Sequence, residues 1–193
     1  MESVEGFVEQ VQAGQIEEYI HIINTYQNPL FLYCSRLLGN KHEAEDAVQD
    51  IFVRSYEKIH LYKPNVLFSS WLYKIAYHYC LNLIRKRNIQ QKFKWWFTQE
   101  STTESAEDTV GKSLFDEPLH SALKQLSVEE RNLLVLRVFE EKSFAEIGEI
   151  LNKSTETVKK RFGRTKIKLQ HFMTEEGGRV RWGESDLFSK MKK

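Results

Sequence analysis

Few residues in this sequence break helices or crosslink small folds. Only three prolines and nine glycines occur among its 193 residues, a composition that favours helices over a turn-rich β architecture. The two cysteines, Cys34 and Cys80, stand in apolar helical contexts without metal-ligand spacing, so we expect reduced core residues. The six histidines form no HxxxH or HExxH pattern. The sequence therefore gives no support to a disulfide framework, a metal centre or a bound cofactor.

Long apolar runs are also missing. No stretch approaches the roughly 20 apolar residues that a membrane-spanning helix needs. The N-terminal segment, MESVEGFVEQ, is acidic and has no apolar signal core. With 41% apolar and 28% charged residues, the chain has the composition of a globular protein in water. We therefore predict a cytoplasmic protein that is not itself embedded in a membrane.

Net charge is nearly absent, but its distribution is uneven. The formal charge is +1, which by itself argues against a nucleic-acid partner. One basic run extends from Arg85 to Lys94 and a second from Lys159 to Lys168, whereas the charged residues within 100–117 are six acids and a single lysine. The small sum therefore conceals two basic segments separated by an acidic one, and each basic segment is a candidate for binding a polyanion.

Residues 143–173 predict two helices joined by a tight turn. Ser143 and Glu146 have the spacing of a capping box, and apolar residues then recur at helical intervals. Gly148 has no side chain and lets a second helix approach closely. Asn152 tolerates the left-handed backbone that a tight turn requires.

The second helix of this pair is predicted at about residues 155–170 and is strongly basic. Ser154 or Thr155 caps it. Its buried face is expected to contain Val158, Phe162, Ile167 and Leu169. An α-helix fits the major groove of B-DNA, where its first turn reaches base edges and later cations meet phosphates. We therefore interpret the stretch as a helix-turn-helix; the alternative is a helical hairpin with a solvated basic face.

An acidic face is predicted on the helix that begins near residue 40. Asp46, Gln49 and Asp50 are three and four positions apart, so they share one exposed face. This face is a candidate docking surface for a basic partner. The alternatives are a simple solvated face and a carboxylate metal site of a helical enzyme, built from Glu43, Asp46 and Asp50.

An aromatic and basic helix is predicted to start at Ser69 or Ser70. Trp71, Leu72 and Ile75 are expected in the core, with about half of the tyrosines of this helix on the surface. Aromatic rings stack on unpaired bases while Lys and Arg follow the backbone, so this composition favours single-stranded nucleic acid. The alternative is that most of these rings belong to the core.

Three stretches of the chain occur in an order that is typical of a known family. They are GNKHEAEDAVQDIFVRSY, FSSWLYKIAYHYCLNLIRKR and LSVEERNLLVLRVFEEKSFAEIGEILNKSTETVKKRFGRTKIKL. Together they resemble a bacterial RNA polymerase sigma factor of the small extracytoplasmic-function (ECF) group, across about residues 6–172. The resemblance implies an all-α fold with two small helical domains joined by a flexible linker, the second containing the helix-turn-helix. The implied ranges are 1–97 for region two, 98–118 for the acidic linker, 119–173 for region four and 174–193 for a flexible tail.

The resemblance also implies roles for individual residues. Docking on the clamp of the largest polymerase subunit is implied for Asp46, Gln49 and Asp50. Melting and holding the minus-ten promoter element is implied for Lys63, Asn65, Ser69, Trp71, Tyr73, Lys74, Tyr77, Asn82, Arg85, Lys86 and Arg87. Reading the minus-thirty-five element as duplex is implied for Ser154, Thr155, Thr157, Lys160, Arg161 and Arg164. Three features depart from the family pattern: Asn82, where Asp is frequent; residues 151–154, where the turn is usually Leu-Gly-Ile-Pro or similar; and the tail after Met173, which extends beyond the usual end.

A protein of this family is not an enzyme. The resemblance implies that it binds core RNA polymerase, recognises and melts specific promoters and initiates transcription, here expected of stress-response genes. The implied partners are core RNA polymerase, promoter DNA in duplex and single-stranded form, and an anti-sigma factor, which in this group is often membrane-anchored. Two alternatives stay open. One is a helix-turn-helix regulator that binds duplex without polymerase, with residues 1–97 as a sensing or dimerising domain; the other is the metal enzyme.

Overall fold

The computed structural model describes the backbone of residues 3–98 and 117–176, and the side-chain surroundings of residues 3–90, 119 and 121–173. Every regular element in those ranges is helical, which confirms the predicted all-α class. The chain divides into two compact units, Met1–Asp108 and Thr109–Lys193. Within the described ranges, no helix is both long enough and apolar enough to cross a membrane.

The described part of the first unit contains four α-helices and two short 3-10 turns. The helices are α1 (Val4–Gln12), α2 (Tyr19–Leu38), α3 (Lys41–Lys58) and α4 (Phe68–Thr98). The 3-10 turns are Ile16–Glu18 and Ile59–Leu61. Gly14 separates α1 from the first turn with φ +100°, a backbone conformation that L side chains rarely adopt, so a glycine is suited to this break.

Helix α2 begins earlier than its proline alone would favour. Proline is tolerated in the first turn of a helix, so Pro29 by itself indicates a helix that starts near Tyr26. Instead the helix is continuous from Tyr19, and Pro29 lies in its interior. An interior proline removes one backbone hydrogen bond and costs about 3 kcal/mol. Burial of the face that carries Ile22 and Leu30 offsets this cost, so tertiary packing overrides the local signal.

Helices α2, α3 and α4 surround the core of the first unit. Gly39 ends α2 in a left-handed conformation, with φ +73°, and the Asn40 side chain accepts a hydrogen bond from the Glu43 N–H at 3.0 Å, which caps α3. This short turn folds α3 back along α2. Fully buried side chains from the three helices fill the centre: Ile22, Leu30, Tyr33, Cys34, Leu37, Ile51, Leu72 and Cys80. Neither cysteine is in a disulfide, as predicted, and the Cys80 thiol lies 3.7 Å from the Cys34 sulfur.

The second unit is a shorter helical array. Its described helices are α5 (Glu117–Lys124), α6 (Val128–Leu134), α7 (Phe144–Leu151) and α8 (Thr155–Glu176), with a π-helical turn at Val135–Phe139 after α6. Helices α5, α6 and α7 each pack against α8. Their core includes Ala122, Leu134, Leu136, Ile147, Ile150 and Leu169. Long α8 is therefore the element on which the unit is assembled.

One predicted core position on α8 is wrong. Ile167 is 67% exposed, whereas Thr165 is buried at 2%. The buried series is Val158, Phe162, Thr165, Leu169 and Met173, whose intervals of three and four residues follow one helical face. Ile167 lies off that face. Helical spacing therefore predicts burial on α8 better than the apolar character of a single residue. Helix α8 also continues through residues 174–176, the start of the predicted tail; the rest of the tail and most of the linker lie outside the described residues.

Candidate docking and nucleic-acid surfaces

The acidic face predicted on α3 is at the surface. Asp46, Gln49 and Asp50 are all exposed on one side of the helix. Val53 occupies the next position of this face and is 57% exposed. The sequence analysis did not single out Val53, although its interval of seven residues from Asp46 places it on this face. The face therefore combines carboxylates, an amide and one apolar side chain, which suits contact with another protein.

One carboxylate of this face is connected to helix α4. The Tyr79 hydroxyl donates a hydrogen bond to Asp50 Oδ2 at 2.5 Å. The Arg54 guanidinium carbon lies 4.9 Å from the centroid of the Tyr79 ring, in a cation–π arrangement. Burial, together with the hydrogen bond to Asp50 and the Asp50 charge, raises the pKa of Tyr79 to about 12, although the Arg54 charge acts in the opposite direction. The hydroxyl therefore stays protonated and remains a donor at physiological pH.

A pocket of about 350 Å³ lies beside this contact, between α3 and α4. Its walls combine cationic, aromatic and amide side chains: Arg54, Lys58, Trp71, Lys74, Ile75, His78, Tyr79 and Asn82. Trp71, Lys74 and Asn82 are predicted minus-ten residues. Arg54, Lys58 and His78 were missed, although Arg54 and Lys58 have the interval of four residues that puts two cations on one helical face. Cations beside aromatic rings are what an unpaired nucleotide needs.

Two predicted minus-ten residues lie in the core and not at this pocket. Tyr73 is 2% exposed and its ring packs edge-on against Tyr33 at 5.1 Å. Tyr77 is 7% exposed. Their rings are therefore not available to stack on a base in this structure. Trp71 and Ile75 were expected in the core, and this expectation is wrong. Both side chains are only partly buried, and both line the pocket.

Arg87 is held by the protein itself. Its guanidinium donates to the Leu38 carbonyl at 3.3 and 3.4 Å and pairs with the Glu43 carboxylate at 3.4 Å. The Leu38 carbonyl belongs to the last turn of α2, where a cation is favoured by the helix dipole. Arg87 therefore joins α4 to the ends of α2 and α3, which is a different role from the predicted contact with a DNA strand. Arg85 and Lys86 are exposed.

The loop before α4 is held in place by α1. Gln12 Nε2 donates to the carbonyls of Ile59 and Tyr62, at 2.6 and 3.0 Å. The Tyr62 hydroxyl donates across the loop to the Val66 carbonyl at 2.8 Å. Two predicted residues of this loop, Lys63 and Asn65, are exposed, and the third, Ser69, is half-buried in the first turn of α4. The loop thus presents polar side chains from a fixed backbone.

The turn between α7 and α8 has the geometry that the sequence indicates. Ser143 and Glu146 form a reciprocal capping box at the start of α7. Asn152 ends α7 in a left-handed conformation, with φ 53° and ψ 50°. A Cβ atom at Gly148 would lie 2.7 Å from the Lys153 carbonyl oxygen, so only glycine fits there. The close approach is to the turn, whereas the sequence analysis expected it to be to the second helix.

The N-terminus of α8 is polar and at the surface. The Ser154 hydroxyl accepts a hydrogen bond from the Thr157 N–H at 3.3 Å and lies 2.8 Å from the Thr157 hydroxyl, which caps the helix. Thr155, Lys160 and Arg164 are exposed. A free first turn with cations behind it is the arrangement of a recognition helix in a major groove.

Some cations of α8 lie closer to carboxylates than the sequence suggested. Arg161 pairs with Glu129 of α6 at 3.1 Å, and Lys168 pairs with Glu130 at 3.0 Å. Lys160 lies 3.7 Å from Glu156, one turn back on α8. Such exposed pairs contribute about 0–1 kcal/mol each, so they are readily exchanged for phosphate. Three acids, Glu129, Glu130 and Glu156, therefore lie close to the cations of this helix.

Three carboxylates of α3, Glu43, Asp46 and Asp50, are the metal ligands suggested by the sequence. Within the described parts of the chain, no group of three His, Cys, Asp or Glu side chains is placed to hold a metal ion. Two of the carboxylates suggested for such a site have other partners: Glu43 pairs with Arg87, and Asp50 accepts from Tyr79. Both carboxylates are thus engaged by side chains of helix α4.

Comparisons with known proteins identify the family. Residues 22–89 match the family model Sigma-70 region 2, and residues 116–169 match Sigma-70, region 4. The chain is 33% identical over 171 residues to the ECF RNA polymerase sigma factor SigW of Bacillus subtilis (strain 168), a match that covers 81% of this chain and 89% of SigW. It is 28% identical over 154 residues to the RNA polymerase sigma factor YlaC of the same organism, covering 78% of this chain and 88% of YlaC.

Solved structures share the fold. CnrH in complex with the cytosolic domain of CnrY matches with a TM-score of 0.68 and 19% identity, covering 89% of this chain and 97% of that one. The sigma factor RpoE in complex with the anti-sigma factor NepR, from Bartonella quintana, matches with a TM-score of 0.64 and 20% identity, covering 83% and 99%. From the two region matches and the identity to SigW, the chain belongs to the ECF group of RNA polymerase sigma factors.

Proposed function

We propose that this sigma factor docks on core RNA polymerase through the acidic face of α3, holds an unpaired promoter strand in the pocket between α3 and α4, and reads duplex DNA with the first turn of α8. The polymerase carries out the chemistry, and this chain supplies promoter recognition. The pocket is the observation that carries the proposal, because it combines cations with aromatic rings next to a candidate docking face on the same helix.

The strand-binding role is supported by the chemistry of the pocket. Opening a duplex costs a few kcal/mol per extruded base, and stacking on an aromatic ring returns about 1–3 kcal/mol per base. The partly buried rings of Trp71 and Tyr79 offer such platforms, and Arg54, Lys58 and Lys74 lie where they can follow the phosphates. With Tyr73 and Tyr77 in the core, the proposed strand site consists of this pocket, the exposed loop residues Lys63 and Asn65, and the cations Arg85 and Lys86.

The duplex-binding role belongs to the second unit. The exposed residue Thr155 lies in the first turn of α8, the part of a recognition helix that reaches base edges. Lys160 and Arg164 lie further along, where phosphate contacts are expected. A regulator that needs no polymerase would also contain such a helix, but it gives no role to the docking face and the pocket. That alternative is therefore less favoured.

An anti-sigma partner completes the proposal. The solved relatives CnrH and RpoE are complexes with the cytosolic domain of CnrY and with the anti-sigma factor NepR, respectively. We extend this partnership to the present chain, which would then act in the cytoplasm with core polymerase and promoter DNA. The exposed apolar Val53 beside carboxylates offers a surface that such a partner can cover.

Transcription with purified components tests the function. The chain is added to sigma-free core polymerase together with fragments of the source genome, and the transcripts are sequenced. We expect specific start sites that share two upstream elements. Absence of starts while the chain alone still shifts duplex DNA would overturn the proposal in favour of a polymerase-independent regulator.

A pair of charge variants tests the docking face. Asp46→Ala combined with Asp50→Ala should weaken the affinity for core polymerase, measured by equilibrium binding of the labelled chain. The control is Glu9→Ala combined with Glu17→Ala, which removes the same charge from exposed positions at the start of the same unit. Equal affinities of the two double variants would refute the docking assignment, because a general charge effect would then explain the loss.

A further inference from the structure

The contact between Asp50 and Tyr79 joins two surfaces that the proposed function keeps apart. Asp50 belongs to the docking face of α3, and Tyr79 is a wall of the pocket between α3 and α4. Their hydrogen bond of 2.5 Å crosses from one helix to the other. The Arg54 guanidinium carbon lies 4.9 Å from the centroid of the Tyr79 ring, and Arg54 is itself a pocket residue.

The arrangement restricts both groups at once. The Asp50 carboxylate is exposed, and a free carboxylate on a helix surface samples several rotamers. The Tyr79 hydroxyl selects one of them and leaves the other lone pairs of the carboxylate free for a donor on a partner. In the same way, the hydrogen bond and the Arg54 cation fix the tilt of the Tyr79 ring, and this tilt decides how a base can stack in the pocket.

We infer that Tyr79 is a positioning residue that couples polymerase docking to strand binding, because its hydroxyl orients Asp50 for the polymerase and docking in turn fixes the Tyr79 ring for a base. The inference rests on the function proposed above. Coupling of this kind is reciprocal: if the polymerase tightens strand binding by some factor, the strand tightens polymerase binding by the same factor. The two helices thus share one hydrogen bond through which each binding event favours the other.

The test measures the coupling factor, which is the factor by which a bound strand tightens polymerase binding. The affinity of the labelled chain for core polymerase is determined with and without a saturating single-stranded oligonucleotide that carries the non-template strand of a promoter recovered in the transcription assay. We expect the oligonucleotide to tighten polymerase binding by about 5- to 150-fold in the unaltered chain, the range that is typical of coupled sites. Tyr79→Phe keeps the ring and its contact with Arg54 but removes the hydroxyl, so the factor should fall towards unity.

Matched variants separate the coupling from stability and from docking itself. Tyr19→Phe also removes a hydroxyl hydrogen bond between α2 and α3, to the Phe52 carbonyl at 2.9 Å, but this bond is buried in the core, so the factor should be retained. Asp46→Ala should weaken docking and retain the factor. Asp50→Ala alters an exposed side chain without risk to the fold, and it should weaken docking and lose the factor.

The outcomes distinguish the inference from the function on which it rests. Failure of the unaltered chain to bind core polymerase would overturn the proposed function. Polymerase binding that the oligonucleotide does not tighten would overturn the coupling and leave docking intact. Retention of the factor in Tyr79→Phe or Asp50→Ala, or its loss in Tyr19→Phe, would likewise overturn the role of this hydrogen bond.

Discussion

Gly148 allows a sharp test of the turn that positions the recognition helix. Replacement by alanine adds a Cβ atom 2.7 Å from the Lys153 carbonyl oxygen and 3.6 Å from the Thr155 nitrogen. Both are backbone atoms, and the Lys153 N–H donates to the Gly148 carbonyl at 2.8 Å, so the turn cannot swing aside as a flexible side chain would. The variant must either open the turn or shift the start of α8.

The change in stability caused by Gly148→Ala follows from two opposing effects. Alanine is favoured over glycine in a helix interior by about 0.8–1.0 kcal/mol. Overpacking at a close contact costs about 1–3 kcal/mol. Gly163, in the interior of α8, provides the matched control, since a Cβ atom there meets nothing within 4 Å. Helix propensity is common to both variants, so the stability of Gly148→Ala should lie about 1–3 kcal/mol below that of Gly163→Ala.

Amide hydrogen exchange is the suitable assay, because a chain of two units need not unfold in one step. The exchange of α7 and α8 amides should be about 5- to 150-fold faster in Gly148→Ala than in Gly163→Ala, which is the stated difference converted to a ratio. Binding to the minus-thirty-five duplex should weaken in the first variant alone. Equal or slower exchange in Gly148→Ala would refute the reasoning, since the clash would then cost less than we infer.

Two further predictions concern the second unit. Burial, the largest single cause, raises the pKa of Glu146, but hydrogen bonds from Ser143 and the charge of Lys142 together outweigh it and hold the pKa below its ordinary value of 4.5. Because the folded-state pKa is the lower one, the stabilisation is present above the unfolded value and is lost as pH falls through the folded value. Exchange of α7 amides, corrected for the intrinsic rate, should therefore accelerate as pH falls from about 6 to about 3. Glu146→Gln should weaken this pH dependence. Replacement of an exposed neighbour, Glu149→Gln, should retain it. Arg164 is more than two turns beyond the start of α8, where a phosphate contact is expected. Arg164→Ala should therefore weaken binding to all duplex sequences alike and reduce by about one the slope of log affinity against log salt concentration. Loss of specificity at a single base pair would contradict this prediction.

The helix ends of this fold follow from the sequence because capping is a local interaction. Ser143 with Glu146, Ser127 with Glu130, Gly39 and Asn152 all act within a few residues, and each has the conformation or hydrogen bond that its residue type favours. The helix start at Tyr19 is different. Its stability depends on burial of a face against α3 and α4, far along the chain, and no local signal opposes the interior proline strongly enough to indicate this.

The candidate site was predictable in part for the same reason. A single helical period places Asp46, Gln49 and Asp50 on one surface, and this needs no knowledge of the neighbouring helices. The pocket needs two helices, so Arg54 and Lys58 become visible as site residues only when α4 is packed against α3. Burial of Tyr73 and Tyr77 could not be predicted from the sequence either. Helix α4 has apolar and aromatic residues on most sides, so its sequence does not show which face packs against the core.

Charge along α3 is mostly segregated, and this order has two explanations that act together. Four of its five carboxylates precede Arg54 and Lys58, with Lys41 and Glu57 as the exceptions, which is largely the order that the helix dipole favours. The dipole alone does not explain why both cations face α4 and line a pocket with Trp71 and Tyr79. A rigid helix rises 1.5 Å per residue, so the centre of the docking face and Lys58 are held roughly 15 Å apart. Ala44, Ala47 and Ile51 are fully buried along one side of α3. Because this side is packed against the core, a rotation of α3 that moved the docking face would also move the pocket residues. The helix thus fixes the distance between the proposed polymerase contact and the proposed strand contact.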